Sequence, residues 1–186
     1  MKRILLIIGI LIFLQPLMAQ AADLQVDAQN SSITFLSKTT THDFRGKAGK
    51  LSGQLVLNAD HTSASGRVDV DVLGISTGDN TRDANMYKMF AAALFPAIVL
   101  DVNKVDIVPA ADGTEAKAVL HGVLTMHGIH HDVTIPAHVT LDHGRNICAG
   151  SFSVSLKAFD LHAPSFLFIK VADPVQVDFS IVFKAP

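Results

Sequence analysis

Nine histidines are the most conspicuous chemistry-bearing residues of this 186-residue chain. Four of them, His121, His127, His130 and His131, fall within eleven residues around a turn at His127-Gly128, and His138 and His143 follow. Neutral imidazoles brought together from adjacent strands can hold zinc, copper or nickel. Three of these four, however, sit at the turn, where solvated side chains are the ordinary expectation. No Cys or carboxylate completes a metal-ligand spacing. A metal-binding module over His121–His143, with His121, His127, His130 and His131 as ligands, is therefore the alternative reading. Catalysis has less support, because the chain carries no nucleophile elbow, no phosphate-cradling glycine loop and no paired-Cys motif. Cys148 is the sole cysteine, so no internal disulfide forms, and on an alternating strand it reads as a small core hydrophobe.

The elements that would position such residues are mostly strands. Val68, Val70 and Val72 alternate with charged residues. Val133, Ile135, Ala137, Val139 and Leu141 share one parity, Phe152, Val154 and Leu156 another set, and Val175 to Phe183 a fourth. A period of two rich in β-branched and aromatic residues means strands with one dry and one wet face. Weaker strands fill about 31–38, 43–48, 51–58, 97–107 and 115–125, separated by turn residues such as Asp142-His143-Gly144. Eight or nine antiparallel strands invite closure into a barrel without exposed edges; a two-sheet sandwich fits the same periodicity. One segment differs. Residues 80–94 place Met86, Met89, Phe90 and Leu94 at helical spacing, with Asn80 as the cap and Pro96 as the stop. Arg82-Asp83 reads as a paired unit at the start of this helix. Ala163 to Phe168 reads as a loop with three large apolar side chains.

The amino terminus addresses the compartment. Lys2 and Arg3, the apolar run Ile4–Leu14 and Ala19-Gln-Ala21 form the three parts of a cleavable secretory signal peptide over residues 1–21. The apolar run is shorter than the roughly 20 residues that a membrane-spanning helix needs. Residues 22–186 then suit one domain. The formal charge of −2 and the lack of a basic stripe make nucleic acid and anionic membrane surfaces poor partners.

The order of elements resembles the YceI-like family. Four stretches carry the likeness: Ser32-Ile-Thr-Phe35 with His42-Asp-Phe-Arg-Gly46; Gly74-Ile-Ser-Thr77 leading to Thr81-Arg82-Asp83, Met89-Phe90 and Phe95-Pro96; Gly122-Val-Leu-Thr125 with Gly128; and Ala172-Asp-Pro-Val175. Two features depart from the family's pattern. Leu24 stands where its first strand usually opens with tryptophan, and Lys157 stands where an Arg usually precedes an aromatic-Gly pair. Lysine supplies charge there but no bidentate fork. The resemblance implies an all-β fold, an eight-stranded antiparallel lipocalin-like barrel with one short helix, over residues 22–186. It implies a non-enzymatic periplasmic carrier for an amphiphilic isoprenoid-type lipid, polyprenyl or quinone-like. That lipid would be the sole bound group, with no stable membrane anchor after leader cleavage and room for a homodimer. Phe35, Val68, Val70, Val72, Met86, Met89, Phe90, Leu120, Val154 and Phe179 would then line an apolar tunnel, and Arg82 or Lys157 would meet a polar head. The residue pattern by itself favours an ordinary filled core.

Overall fold

The computed structural model describes residues 21–40, 42–60, 62–111, 113–142, 145–162 and 172–185. The leader up to residue 20, His143 and the apolar loop at 163–168 lie outside the described residues. The strands are β1 (Ala22–Val26), β2 (Ser32–Ser37), β3 (Phe44–Ala48), β4 (Leu51–Leu57), β5 (Ser63–Asp71), β6 (Ile75–Ser76), β7 (Ala97–Pro109), β8 (Glu115–Met126), β9 (Ile129–Asp142), β10 (Arg145–Val154) and β11 (Val175–Lys184). Helix α1 (Asn80–Met89) lies between β6 and β7.

The eleven segments make eight walls of one barrel, because β1/β2, β3/β4 and β5/β6 are each one strand with a bend. Every ladder is antiparallel, and the order β1-β4-β5-β7-β8-β9-β10-β11 closes through a β1–β11 pairing. The edge of β11 is shared: Gln25 and Val26 of β1 take Lys184 and Phe183, while β2 runs from Ser32 opposite Ser180 to Leu36 opposite Gln176. Between them the chain steps outward without orphaning backbone groups. Asp27 donates its N–H to Val182 O at 2.8 Å, and Val182 donates its own to Ser31 Oγ at 2.9 Å. The closed barrel is the outcome, and the sandwich is not.

At one end the wall splits twice, and each split has a physical cause. After Asp71 the chain turns through a 3-10 helix, Val72–Gly74, whose first turn is capped by the Asp71 carboxylate accepting Leu73 N–H at 2.9 Å. It then continues as β6, which pairs with β3 and leaves β7. Helix α1 and the turn after it fill that opening. The second split begins at Pro136, which has no N–H to give; the β9–β10 ladder stops one residue away, at Ala137 opposite Gly150. A second 3-10 helix, Lys157–Phe159, fills this gap. His131 donates its Nε2–H to Ala158 O at 2.8 Å and His127 its Nδ1–H to Phe159 O at 3.3 Å, with the His131 and Phe159 rings edge-to-face at 4.8 Å.

Helix α1 differs from its sequence reading at both ends. Its N-cap is Asp79, extended at φ −128° and accepting Arg82 N–H at 2.9 Å, rather than Asn80. Asp and Asn are comparable caps, so spacing alone does not choose between them. The helix stops at Met89 instead of Leu94, because Ala91 takes a left-handed φ of 47°. Leu94 is left 76% exposed. Two groups pin the helix to β6. The buried Asp83 carboxylate accepts Ser76 Oγ–H and Thr77 N–H, each at 2.8 Å, together with the Thr77 hydroxyl. Tyr87 donates its hydroxyl to Ile75 O at 2.7 Å.

Burial pushes the Asp83 carboxyl up, but the hydrogen bonds from Thr77 and Ser76 and the Arg82 charge outweigh it and hold it below its ordinary value. The stability it supplies is therefore present above the ordinary carboxylate value of 3.8 and lost as pH falls through its lowered folded value. Asp83→Ala should cost about 1–3 kcal/mol at neutral pH by orphaning the Thr77 N–H. The cost should shrink in acid. Denaturant melts across pH check this, and equal stability of the two proteins at neutral pH would contradict it.

Candidate functional site

The barrel encloses a cavity of about 1420 Å³ running from α1 to the opposite end, where Phe183 and Asn146 line it. Small-molecule pockets are commonly about 300–1,000 Å³. An eight-stranded barrel can be filled by its own side chains or left with room for a ligand, and here two devices leave room. Many inward side chains are short: Ala48, Ala64, Val68, Val70, Val102 and Cys148 all face the cavity. The large ones lie flat on the wall. Phe35 stands opposite Gly46 and Phe179 opposite Gly150 across neighbouring strands. A Cβ at Gly46 would come within 2.2 Å of the Phe35 ring, and one at Gly150 within 2.8 Å of the Phe179 ring. The glycines thus provide seats in the wall for rings that would otherwise project into the lumen.

The middle of the cavity is apolar; most of its polar side chains gather at the α1 end, with Glu115 and Asn146 at the other. Ser37, Thr39 and His42 approach from the β2–β3 side, and Thr77, Asp79, Thr81, Arg82 and Asn85 from the start of α1. His42, Thr77 and Thr81 belong to the stretches that carry the family likeness, whereas Ser37, Thr39, Asp79 and Asn85 carry no signal in the sequence that marks them as wall residues. Arg82 donates Nε–H to Thr77 Oγ1 at 2.9 Å and lays its guanidinium over the Phe44 ring, 4.3 Å from the centroid. Arg82 and Asp83 thus meet through Thr77.

Of the residues singled out in the sequence, Phe35, Val68, Val70, Met86, Met89, Phe90, Leu120, Val154 and Phe179 face the cavity, as does Arg82. Val72 does not. It is 1% exposed and packs with Phe90, Ala92 and Met126 behind the wall, because strand alternation ends at Asp71. Lys157 is exposed on the 3-10 turn and off the cavity wall.

The histidines are dispersed rather than convergent. His121 contacts Asp106 at 3.2 Å, His130 contacts Thr125 at 2.7 Å, and His127 and His131 hold the 3-10 turn. Among the described residues no three His, Cys, Asp or Glu side chains come together to hold a metal. Strand pairing separates His121 from the turn, His127 and His131 are engaged with backbone carbonyls, and His130 with the Thr125 hydroxyl. Cys148 is buried on the cavity wall, and burial pushes its thiol up to about 11, which leaves it protonated and a poor nucleophile at neutral pH.

A closed antiparallel barrel of eight walls, hollow, apolar and crossed by one helix at its split end, is a lipocalin-like barrel. Residues 24–183 match the YceI-like domain, and the chain belongs to that family. Its fold is similar to that of Burkholderia cenocepacia BcnA, with a TM-score of 0.71 and 24% identity, covering 84% of this chain and 98% of that one. A polyisoprenoid binding domain from Saccharophagus degradans, implicated in plant cell wall breakdown, gives a TM-score of 0.68 at 18% identity, covering 88% and 98% of the two chains. The Campylobacter jejuni YceI protein gives 0.54 at 15% identity, covering 73% and 83%. At these identities the likeness is one of fold. No curated protein matches the chain in sequence.

If the Phe35 ring needs its seat, Gly46→Ala should push it into the lumen. Because the lumen is hollow, the stability loss should fall below the about 1–3 kcal/mol of ordinary overpacking. Uptake of a neutral environment-sensitive dye such as Nile red should drop. Unchanged dye uptake, with the stability of a fully overpacked core, would contradict the seat.

Proposed function

We propose that this protein is a carrier that sequesters a long, isoprenoid-type apolar chain in its barrel, with the ligand's polar head at the α1 end. The observation that carries the reading is the 1420 Å³ apolar cavity inside a closed wall. Membership of the YceI-like family and the likeness to a polyisoprenoid binding domain support the choice of chain. The energetics allow it. Each buried methylene contributes about 0.8 kcal/mol, so about ten carbons bring roughly micromolar affinity before ordering costs. A branched chain also suits a wall of Val, Ala and laid-down Phe, with Met86 and Met89 at the mouth as adaptable contacts. Arg82, the cationic wall residue at that end, supports putting the head there. Binding and release, rather than bond-making, is the activity, and the leader supports an exported, periplasmic setting.

Val70 offers a test. It lines the cavity, while its neighbour Asp71 faces out and pairs with Lys50 at 3.2 Å. Val70→Trp should fold with little loss and carry far less extractable lipid, because the indole occupies ligand space. Asp71→Asn, which keeps an oxygen for the Leu73 N–H, should leave lipid content unchanged. A Val70→Trp protein destabilised by about 1–3 kcal/mol or more, as a filled core would be, and with undiminished lipid content would overturn the carrier reading.

A further inference from the structure

The cavity reaches water at both of its ends. Away from α1 it is lined by Ala22 of β1, by Pro109, Gly113, Glu115 and Ala116 of the β7–β8 hairpin, and by Asn146 of β10. Pro109, Gly113 and Glu115 are exposed there, as Asp79, Thr81 and Asn85 are at the α1 end. The two rims differ in what stands at them. Helix α1 sets Met86 and Met89 at the first. At the second, Leu57, Ile107 and Phe183 line the wall, while Ala22, Gly113 and Ala116 present little bulk; a Cβ placed on Gly113 would meet no atom within 4 Å. Among the described residues, hydrogen-bonding side chains stand on the wall at its two ends and not in the middle, and Glu115 and Asn146 supply them at the far one. The distance between the rims follows from the strands. β8 runs along the wall from Glu115 to Met126, and its 12 residues at about 3.3 Å each, tilted by about 35–45°, make a lumen roughly 30 Å long.

We propose that the far rim is a second portal, so that the barrel is a tunnel that takes chains longer than itself, the tail leaving beside Ala116 while the head stays at the α1 end. The proposal rests on the carrier reading above and deepens it by giving the tail a site of its own. A pocket with a floor measures its ligand. Chain beyond its depth has nowhere to go, and a polar group at the tail end is buried without a partner. A tunnel imposes neither limit. Surplus carbons pass out, and a polar tail end reaches water or the Glu115 and Asn146 side chains. The ligand class that fits is a long apolar chain at or above the length of the lumen, including one with a polar group at each end.

The test compares alcohols with diols on the full chain, stripped of endogenous lipid: dodecanol against the dodecane diol hydroxylated at both ends, and tetracosanol against its own such diol. An extended chain advances about 1.2 Å per bond, as the backbone does, so the longer pair spans the lumen and the shorter pair reaches half-way. The dodecane diol should bind about tenfold more weakly than dodecanol, because one hydroxyl is left in the apolar middle. The tetracosane diol should bind as tightly as tetracosanol. Ala116→Trp, which puts a ring at the far rim, should weaken the long diol about tenfold relative to tetracosanol. Ala116→Leu, a smaller plug, should act in the same direction, and Lys117→Trp, on the exposed residue next to it and off the cavity wall, should leave the ratio unchanged. A long diol that binds about tenfold more weakly than its alcohol in the wild type overturns the second portal, because its far hydroxyl is then trapped above a floor. A ratio that both Ala116 variants leave unchanged overturns it too, because both hydroxyls then sit at the α1 end. If neither alcohol binds, the carrier reading falls and this inference falls with it; if the alcohols bind and the long diol fails, this inference alone falls.

Discussion

The last strand has to meet the first, and the rest of the molecule follows from how it does so. A sheet with two free edges would leave rows of N–H and C=O groups facing water and would let solvent into its concave side. Here one edge of β11 serves both β1 and β2, with Ser31 and Asp27 satisfying the backbone where the first strand steps between its two halves. Closure removes the edges. It also turns the inner face of every strand into the wall of one dry space, so that inward Val and Ala, which could merely under-fill an open sheet, define a volume.

Keeping that space open needs something more than closure. Hydrophobic groups gain by collapsing into any void, and a cavity without a ligand costs contacts along all of its lining. The cross-strand seats at Gly46 and Gly150 reduce that tendency by letting Phe35 and Phe179 bury their rings against backbone instead of one another at the centre. At the split end the device is polar. Asp83 and Tyr87 tie α1 to β6, and His127 and His131 tie the second 3-10 turn to the β8–β9 hairpin. Both pieces that close the wall are thus held by a few directional bonds at their edges. Such elements open at lower cost than the ladders around them, which suits the end where most of the polar groups gather.

The eight walls were legible because alternation survives in nearly every strand, and Val68-Asp-Val70-Asp71 reads as it folds. The resemblance in Thr81-Arg82-Asp83 and Phe95-Pro96 carried the family. The misses have local causes. Val72 keeps the parity of Val70, but the Asp71 cap turns the chain before it reaches the wall. Alternation passes straight through Pro136, so the end of the β9–β10 ladder is invisible in hydrophobicity and visible only in the missing N–H. His121 is set apart from the other histidines once strands pair, and His127 and His131 are both spent on the carbonyls of one 3-10 turn. The polar mouth was hidden because its members come from the end of β2, the segments after β2 and β6, and the first turns of α1, which only the folded chain brings together. Hollowness itself is not a sequence property, since the same inward stripe describes a filled core and an empty one.

The central claim is that the lumen exists for a lipid. The most direct measurement is organic-solvent extraction of the purified native protein followed by mass spectrometry, with extracted protein then offered an isoprenoid chain and re-extracted. The account predicts apolar species spaced by the mass of an isoprene unit, in amounts approaching one per chain, and their recovery on reloading. Native protein that yields no such species, and takes up none when offered, would contradict it.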